Sequence, residues 1–99
     1  MSYNSQLLLR ARSELLTAWE WYEDKQAGLG DRFKNEVYDK IRQIEVTPER
    51  YPVRKKRFRE ARINIFPYLI IYRIHTRKKI IAVVSVFHTS RNPRHKFRR

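Results

Sequence analysis

The sequence predicts an α+β fold, with a helical hairpin laid over one face of an antiparallel β-meander. Two observations carry that prediction. Between residues 8 and 44 apolar side chains recur every three or four positions, in two runs separated by Gly28 and Gly30. That is the spacing of helices with one buried face. After Pro52 the pattern changes, and two runs rich in β-branched and aromatic residues follow, Tyr68–Ile74 (YLIIYRI) and Ile80–Phe87 (IIAVVSVF). Such runs suit strands at the centre of a sheet. An antiparallel sheet with an apolar face needs a cover, and the helix pair supplies it.

The elements follow in order. Residues 2–8 (SYNSQLL) admit a further strand, although local propensity there is weak. The first helix presents Leu8, Ala11, Leu15, Ala18, Trp19 and Tyr22 on one face. Gly28 is expected to close it, because a left-handed C-terminal residue costs glycine nothing. The second helix repeats the period with Leu29, Phe33, Val37, Ile41 and Ile44. Asp31 sits in its first turn, where a carboxylate meets the positive end of the helix dipole. Pro48 ends this helix or lies just beyond it. The short link through Gly28 and Gly30 implies an antiparallel pair.

Phe58–Phe66 alternates loosely, with Ala61, Ile63 and Ile65 on one side and Arg62 and Asn64 on the other. Pro67 separates this strand from Tyr68–Ile74, and His75–Lys79 (HTRKK) is the hairpin loop before the last strand. The Trp19, Tyr22, Phe33 stripe has the spacing of a core, so it is assigned to packing rather than base stacking. No repeat, linker or low-complexity tract divides the chain, and residues 1–99 are expected to form one domain.

Composition narrows the function classes. At 41% hydrophobic and 13% aromatic the chain is too apolar for a disordered tail. It has no cysteine, hence no disulfide or thiolate metal site. That fits a reducing cytoplasm, as does the lack of a signal-peptide layout at the N-terminus. The longest apolar runs are far too short to cross a bilayer. The net charge is +13, unevenly distributed. Residues 14–49 hold nine of the ten acids against five Lys/Arg, whereas the remainder holds only Glu60 against eighteen. Such a field favours encounter with nucleic acid, an acidic protein or an anionic membrane without choosing among them.

Several chemistries lack their residues. His75, His88 and His95 are scattered with no acidic cluster beside them, so no metal is expected. Ser85 lies within a strand and has no glycine elbow. Two glycines do not make a phosphate loop, and no cofactor is implied. What remains is a basic set with one good titratable group. Val53–Arg62 (VRKKRFREAR) holds six Lys/Arg, Arg73 lies on the neighbouring strand, and His88 and Arg91 close the last one. If these met on one sheet surface, Arg59, Arg73 and Arg91 would bind a phosphodiester and His88 would move a proton. That is the chemistry of metal-free RNA cleavage. Lys55, Lys56, Arg57, Arg59, Arg62, Arg94 and Lys96 form the broader candidate surface for a target or a nucleic acid. No tyrosine lies beyond Tyr72 to serve as a second acid or base near the C-terminus.

WYEDKQAGLGDRF, IEVTPERYP, FPYLIIYRI and VFHTSRNP, in that order and spacing, resemble the RelE/ParE toxins of type II toxin–antitoxin (plasmid stabilisation) systems. The resemblance runs from about Ala11 to the C-terminus. His88, Arg91 and Pro93 stand at the family's H-x-x-R-x-P ending, whereas Phe97 replaces a Trp that often follows. The resemblance implies a βααβββ fold, which makes residues 2–8 an edge strand and the sheet's C-terminal part a three-stranded meander. It implies a growth inhibitor held inactive by a cognate antitoxin. It leaves two targets: DNA gyrase, poisoned by protein contact in the ParE-like branch, or the ribosome with its mRNA, cleaved in the RelE-like branch with Lys, Arg and Tyr or His residues. The helix and strand motifs and the absent C-terminal tyrosine lean towards the first, and the charge of the Lys55–Arg59 cluster towards the second. A basic nucleic-acid-binding module without toxicity is the third reading. Residues 94–99 are either a solvated arm or, through Phe97, packed on the helices.

Overall fold

The computed structural model describes residues 3–92, 94, 96 and 97. Strand β1 (Asn4–Leu7) leads into helix α1 (Leu9–Lys25) and helix α2 (Leu29–Val46). A short 3-10 turn at Pro48–Arg50 precedes β2 (Val53–Lys55), β3 (Phe58–Arg62), β4 (Tyr68–His75) and β5 (Ile80–His88). The five strands form one sheet in the order β1-β5-β4-β3-β2. β1 runs parallel to β5 and every other neighbour is antiparallel. The meander therefore has one strand more than the expected three. β2 escapes sequence reading because its three residues are all exposed and carry no alternation.

The helices cover one face. α2 buries Phe33, Val37, Ile41 and Ile44, and α1 buries Ala11, Leu15 and Ala18, against Ile70, Tyr72, Ile81, Val83 and Val86 of the sheet. Each large apolar side chain removed from water here contributes roughly 1.5–3 kcal/mol before conformational entropy is subtracted. Tyr22, Phe33, Phe66 and Tyr68 form an aromatic group at one end, with neighbouring centroids 4.8 to 5.3 Å apart. At the other end the Tyr72 hydroxyl donates to the Pro48 carbonyl at 2.6 Å, pinning the turn after α2 to the sheet.

Three local expectations change. Gly28 does adopt the left-handed conformation (φ 88°), but as the residue that opens α2, while α1 ends one turn earlier on extended Gln26. Ile65 does not join Ala61 and Ile63 in the core. It is 66% exposed at φ 74°, the centre of a tight turn in which the Phe66 N–H donates to the Asn64 carbonyl at 2.8 Å. A β-branched residue there is strained, and the turn instead delivers Phe66 to the aromatic group. Trp19 is half-buried rather than fully in the core, and its indole N–H donates to Asp31 at 2.9 Å.

The sheet's other face carries a second, smaller apolar group. Ile71, Val84 and Phe87 pack there with Leu8, Phe58, Leu69 and Phe97. Phe97 stacks on Phe58 at 5.6 Å, so the tail neither swings free at this point nor packs on the helices. Replacing Phe97 with alanine is expected to cost about 1 kcal/mol. A double-mutant cycle with Phe58→Ala in urea checks it, and zero coupling would return this segment to a solvated arm.

Candidate functional site

Strand register fixes where each basic side chain lies. Directly opposed residues share a face and successive residues alternate. Arg59 opposes Tyr72, and Tyr68 opposes His88. Arg59 and His88 both point to the helix face, but their opposed positions on β4, Tyr72 and Tyr68, lie four residue steps apart, about 13 Å along the strand. Arg73 follows Tyr72 and opposes Ala82, so it points to the face away from the helices. The four candidates for phosphodiester chemistry thus fall into three places. Only His88 and Arg91 stay together.

Each place has its own electrostatics. The Arg59 guanidinium donates to the carbonyls of Glu49 (3.2 Å) and Tyr51 (2.7 Å), tying the turn before β2 to the sheet. On the face away from the helices, Arg73 has a buried Nε without an acceptor among the described residues. Glu60 lies on this same face and pairs with Lys96 at 2.8 Å and with Arg54 at 3.7 Å. The one acid of the basic half therefore fastens the tail to the sheet. Arg62 is exposed at the end of β3, and Lys55, Lys56 and Arg57 are exposed at the β2–β3 turn, with Lys56 at φ 53°. Arg94 is exposed, and its backbone N–H donates to the Asn92 side chain. Lys55, Lys56 and Arg57 thus lie at the β2–β3 edge, and Arg62 and Lys96 on the face away from the helices, without Arg59.

His88 and Arg91 belong to a cleft of about 430 Å³ between α1 and the ends of β4 and β5, lined also by Glu14, Trp21, Tyr22 and Tyr68. The His88 ring meets Tyr68 edge-on at 4.9 Å. Its Nδ1 accepts the Ser90 N–H at 3.0 Å, which assigns the proton to Nε2. Burial pushes the Tyr68 phenol up to about 12, aided by Tyr22, while the Arg91 charge works against the shift. Tyr68 is therefore a neutral donor at physiological pH.

Glu14 forms the floor of this cleft. Its Oε1 accepts from the Ser85 hydroxyl (2.7 Å) and the Val86 N–H (3.0 Å). Its Oε2 accepts from Arg10 (3.3 Å) and Arg91 (3.1 Å). An irregularity in the β4–β5 pairing at Ile71/Tyr72 makes this possible. Ser85 and Val84 together span one step of β4, and Ser85 turns to the helix side. Sequence reading missed Glu14, Tyr68 and Trp21 as members of a site. The available signal was Ser85, the single polar residue in the apolar run IIAVVSVF.

The family model for the ParE toxin of type II toxin–antitoxin systems, parDE, matches residues 6–93. The fold is similar to that in the chromosomal ParDE toxin–antitoxin system from P. aeruginosa, with a TM-score of 0.77 at 10% identity over 90% of this chain and 98% of that one. It is also similar to the RelBE2 toxin–antitoxin complex from Mycobacterium tuberculosis, with a TM-score of 0.66 at 20% identity over 89% of this chain and 99% of that one. At such identities the structural likeness speaks for the fold alone. No curated protein matches the chain in sequence.

Proposed function

Because the chain belongs to the ParE toxin family of type II toxin–antitoxin systems, we propose that it inhibits bacterial growth by protein contact, with DNA gyrase as the target. The observation that carries this reading is the dispersal of the basic residues. Arg59 is occupied by loop carbonyls, Arg73 points to the opposite face, and Arg91 is paired with Glu14. A phosphodiester held between converging cations and a general acid would need them within hydrogen-bond reach of one another's substrate atoms. A binding surface has no such requirement. The neighbours in fold come from toxin–antitoxin assemblies, and the charge asymmetry suits a cognate antitoxin whose acidic segment orders on contact.

Purified protein added in parallel to gyrase supercoiling of plasmid DNA and to coupled transcription–translation tests the target. The expected result is lost supercoiling or accumulated cleaved plasmid while translation continues. Arrested translation with mRNA cut at the ribosome would replace this reading with that of a ribosome-dependent endoribonuclease. One observation favours that second reading: the basic face around Arg62, Arg73 and Lys96, where Arg73 keeps a buried N–H without an acceptor among the described residues. Under it, Arg73→Ala would abolish cleavage in a folded protein.

A further inference from the structure

Two turns at one end of the sheet bring together cations that are distant in sequence. β2 and β3 join through Lys56 and Arg57, and β4 and β5 through residues 76–79. The concavity between the turns, about 490 Å³, is lined by Arg57 of the first and by His75, Thr76, Arg77 and Lys78 of the second. The strands from β2 to β5 are successive neighbours, so this rim is about 14 Å across. His75 stands seven residue steps along β4 from Tyr68, which opposes His88, so the rim is about 23 Å from the His88 cleft. Lys55, Lys56, Arg57, Arg77 and Lys78 are all exposed, and their side chains have no ion-pair or hydrogen-bond partner among the described residues. Residues 53–59 and 73–80 include no acid. Elsewhere carboxylates take up cations: Glu14 holds Arg10 and Arg91, Glu60 holds Arg54 and Lys96, and Asp39 holds Arg42. Lys56 adds a second observation. It sits at φ 53° in a two-residue turn, where glycine is free of strain and lysine is not. No hydrogen bond or ion pair of its side chain offsets that strain. Lys79, at φ 56°, differs in that its ammonium stands 5.3 Å over the Tyr3 ring.

We propose that this rim binds the phosphate backbone of duplex DNA without reading its sequence. A duplex carries one charge per about 1.7 Å of axis, so the rim meets several phosphates at once. The B-form major groove is about 12 Å wide, and a rim about 14 Å across reaches from one phosphate row to the other. The A-form groove of duplex RNA is narrow and deep and offers no such span. Single strands are held on exposed aromatic rings as well as by charge. Among the described residues the rim exposes no ring, and Phe58 beside it is stacked on Phe97. A protein partner would need an apolar or aromatic anchor at the centre of its interface. The exposed apolar residue nearest in sequence, Val53, lies on the edge strand and outside the concavity. The proposal deepens the reading of the chain as a toxin acting on gyrase, an enzyme that works while bound to DNA. Its test contains no gyrase, so the two fail separately: lost DNA binding leaves the protein contact standing, and a different target leaves the measured DNA binding standing.

The test is fluorescence anisotropy of a labelled mixed-sequence DNA duplex of about 20 base pairs, titrated with the full chain over a series from about 50 to 200 mM salt. Binding in the micromolar range is expected, with log K falling against log salt at a slope of about −4.5, as for about five phosphate contacts. Unlabelled single-stranded DNA, duplex RNA of the same length and phosphatidylserine vesicles should each compete less well than unlabelled duplex DNA. Lys56→Gly/Lys78→Ser should weaken binding roughly tenfold and flatten the slope by about 2. Glycine relieves the strain at position 56, so an unlowered melting temperature in Lys56→Gly separates lost binding from lost folding. Arg32→Ser/Lys34→Ser removes the same charge from exposed positions of α2 and should change the affinity by less than about twofold. Equal losses in the two double variants would show that net charge alone binds DNA and would overturn the proposal. A competitor that outdoes duplex DNA, or no binding of the duplex at the lowest salt, would overturn it as well.

Discussion

Replacing Glu14 with alanine is expected to lower the unfolding free energy by about 3 kcal/mol. The side chain is only 12% exposed and is the shared acceptor of four donors from two parts of the chain. The change takes from the buried Ser85 hydroxyl and the Val86 N–H the acceptor they share, and it removes the carboxylate that bridges Arg10 and Arg91. Glutamine should cost about half as much, because its carbonyl oxygen can still accept from Ser85 and Val86 while its amide faces the arginines badly. Urea denaturation decides it. A fall in midpoint at unchanged slope is a stability effect, and identical midpoints for the wild type and Glu14→Ala would show that α1 is held to β5 by packing alone.

Much of the scaffold was legible because it is local. Phe33, Val37, Ile41 and Ile44 announce their helix by period, and YLIIYRI and IIAVVSVF announce their strands by residue type. The details that failed are set by tertiary structure. Loose alternation places Ile65 inward, but the buried place goes to Phe66, whose ring completes the aromatic group, and the backbone accepts a strained turn to put it there. β2 has no apolar pattern of its own and exists by pairing with β3. The site was legible only at its C-terminal corner, where His88 and Arg91 lie close in sequence. Glu14 and Ser85 are 71 residues apart and join through an irregular strand register that no local pattern encodes. Register also parts Arg59 and Arg73, which sequence reading had allowed to meet. Side chains on adjacent strands share a face only when they are offset from the opposed position by an even number of residues, and Arg73 is offset by one.

The glycines of the helix link should respond to alanine in different amounts, with Gly30 the more sensitive. Gly28 has the special backbone, at φ 88°, yet an added Cβ there meets nothing within 4 Å. Its cost is conformational, about 1 kcal/mol. Gly30 has ordinary helical backbone, where alanine would gain roughly 1 kcal/mol of helix propensity. Its Cβ, however, would stand 2.5 Å from the Trp19 carbonyl oxygen and 2.8 Å from Cγ of Glu23. Glu23 also caps α2 from outside, accepting the N–H groups of Gly28 (3.0 Å), Gly30 (2.8 Å) and Asp31 (3.3 Å). The start of a helix otherwise leaves these donors unmatched. Overpacking together with loss of this cap outweighs the propensity gain, for a net cost of about 2–3 kcal/mol. The Glu23→Ala background separates the two contributions. A flexible side chain can move aside, whereas the Trp19 carbonyl is backbone and yields only if α1 and α2 part. Most of the Gly30→Ala cost should therefore persist without Glu23. If it vanishes there, the close approach of the two helices is not what requires glycine, and Glu23 capping alone accounts for the spacing of E-x-x-x-x-G-x-G.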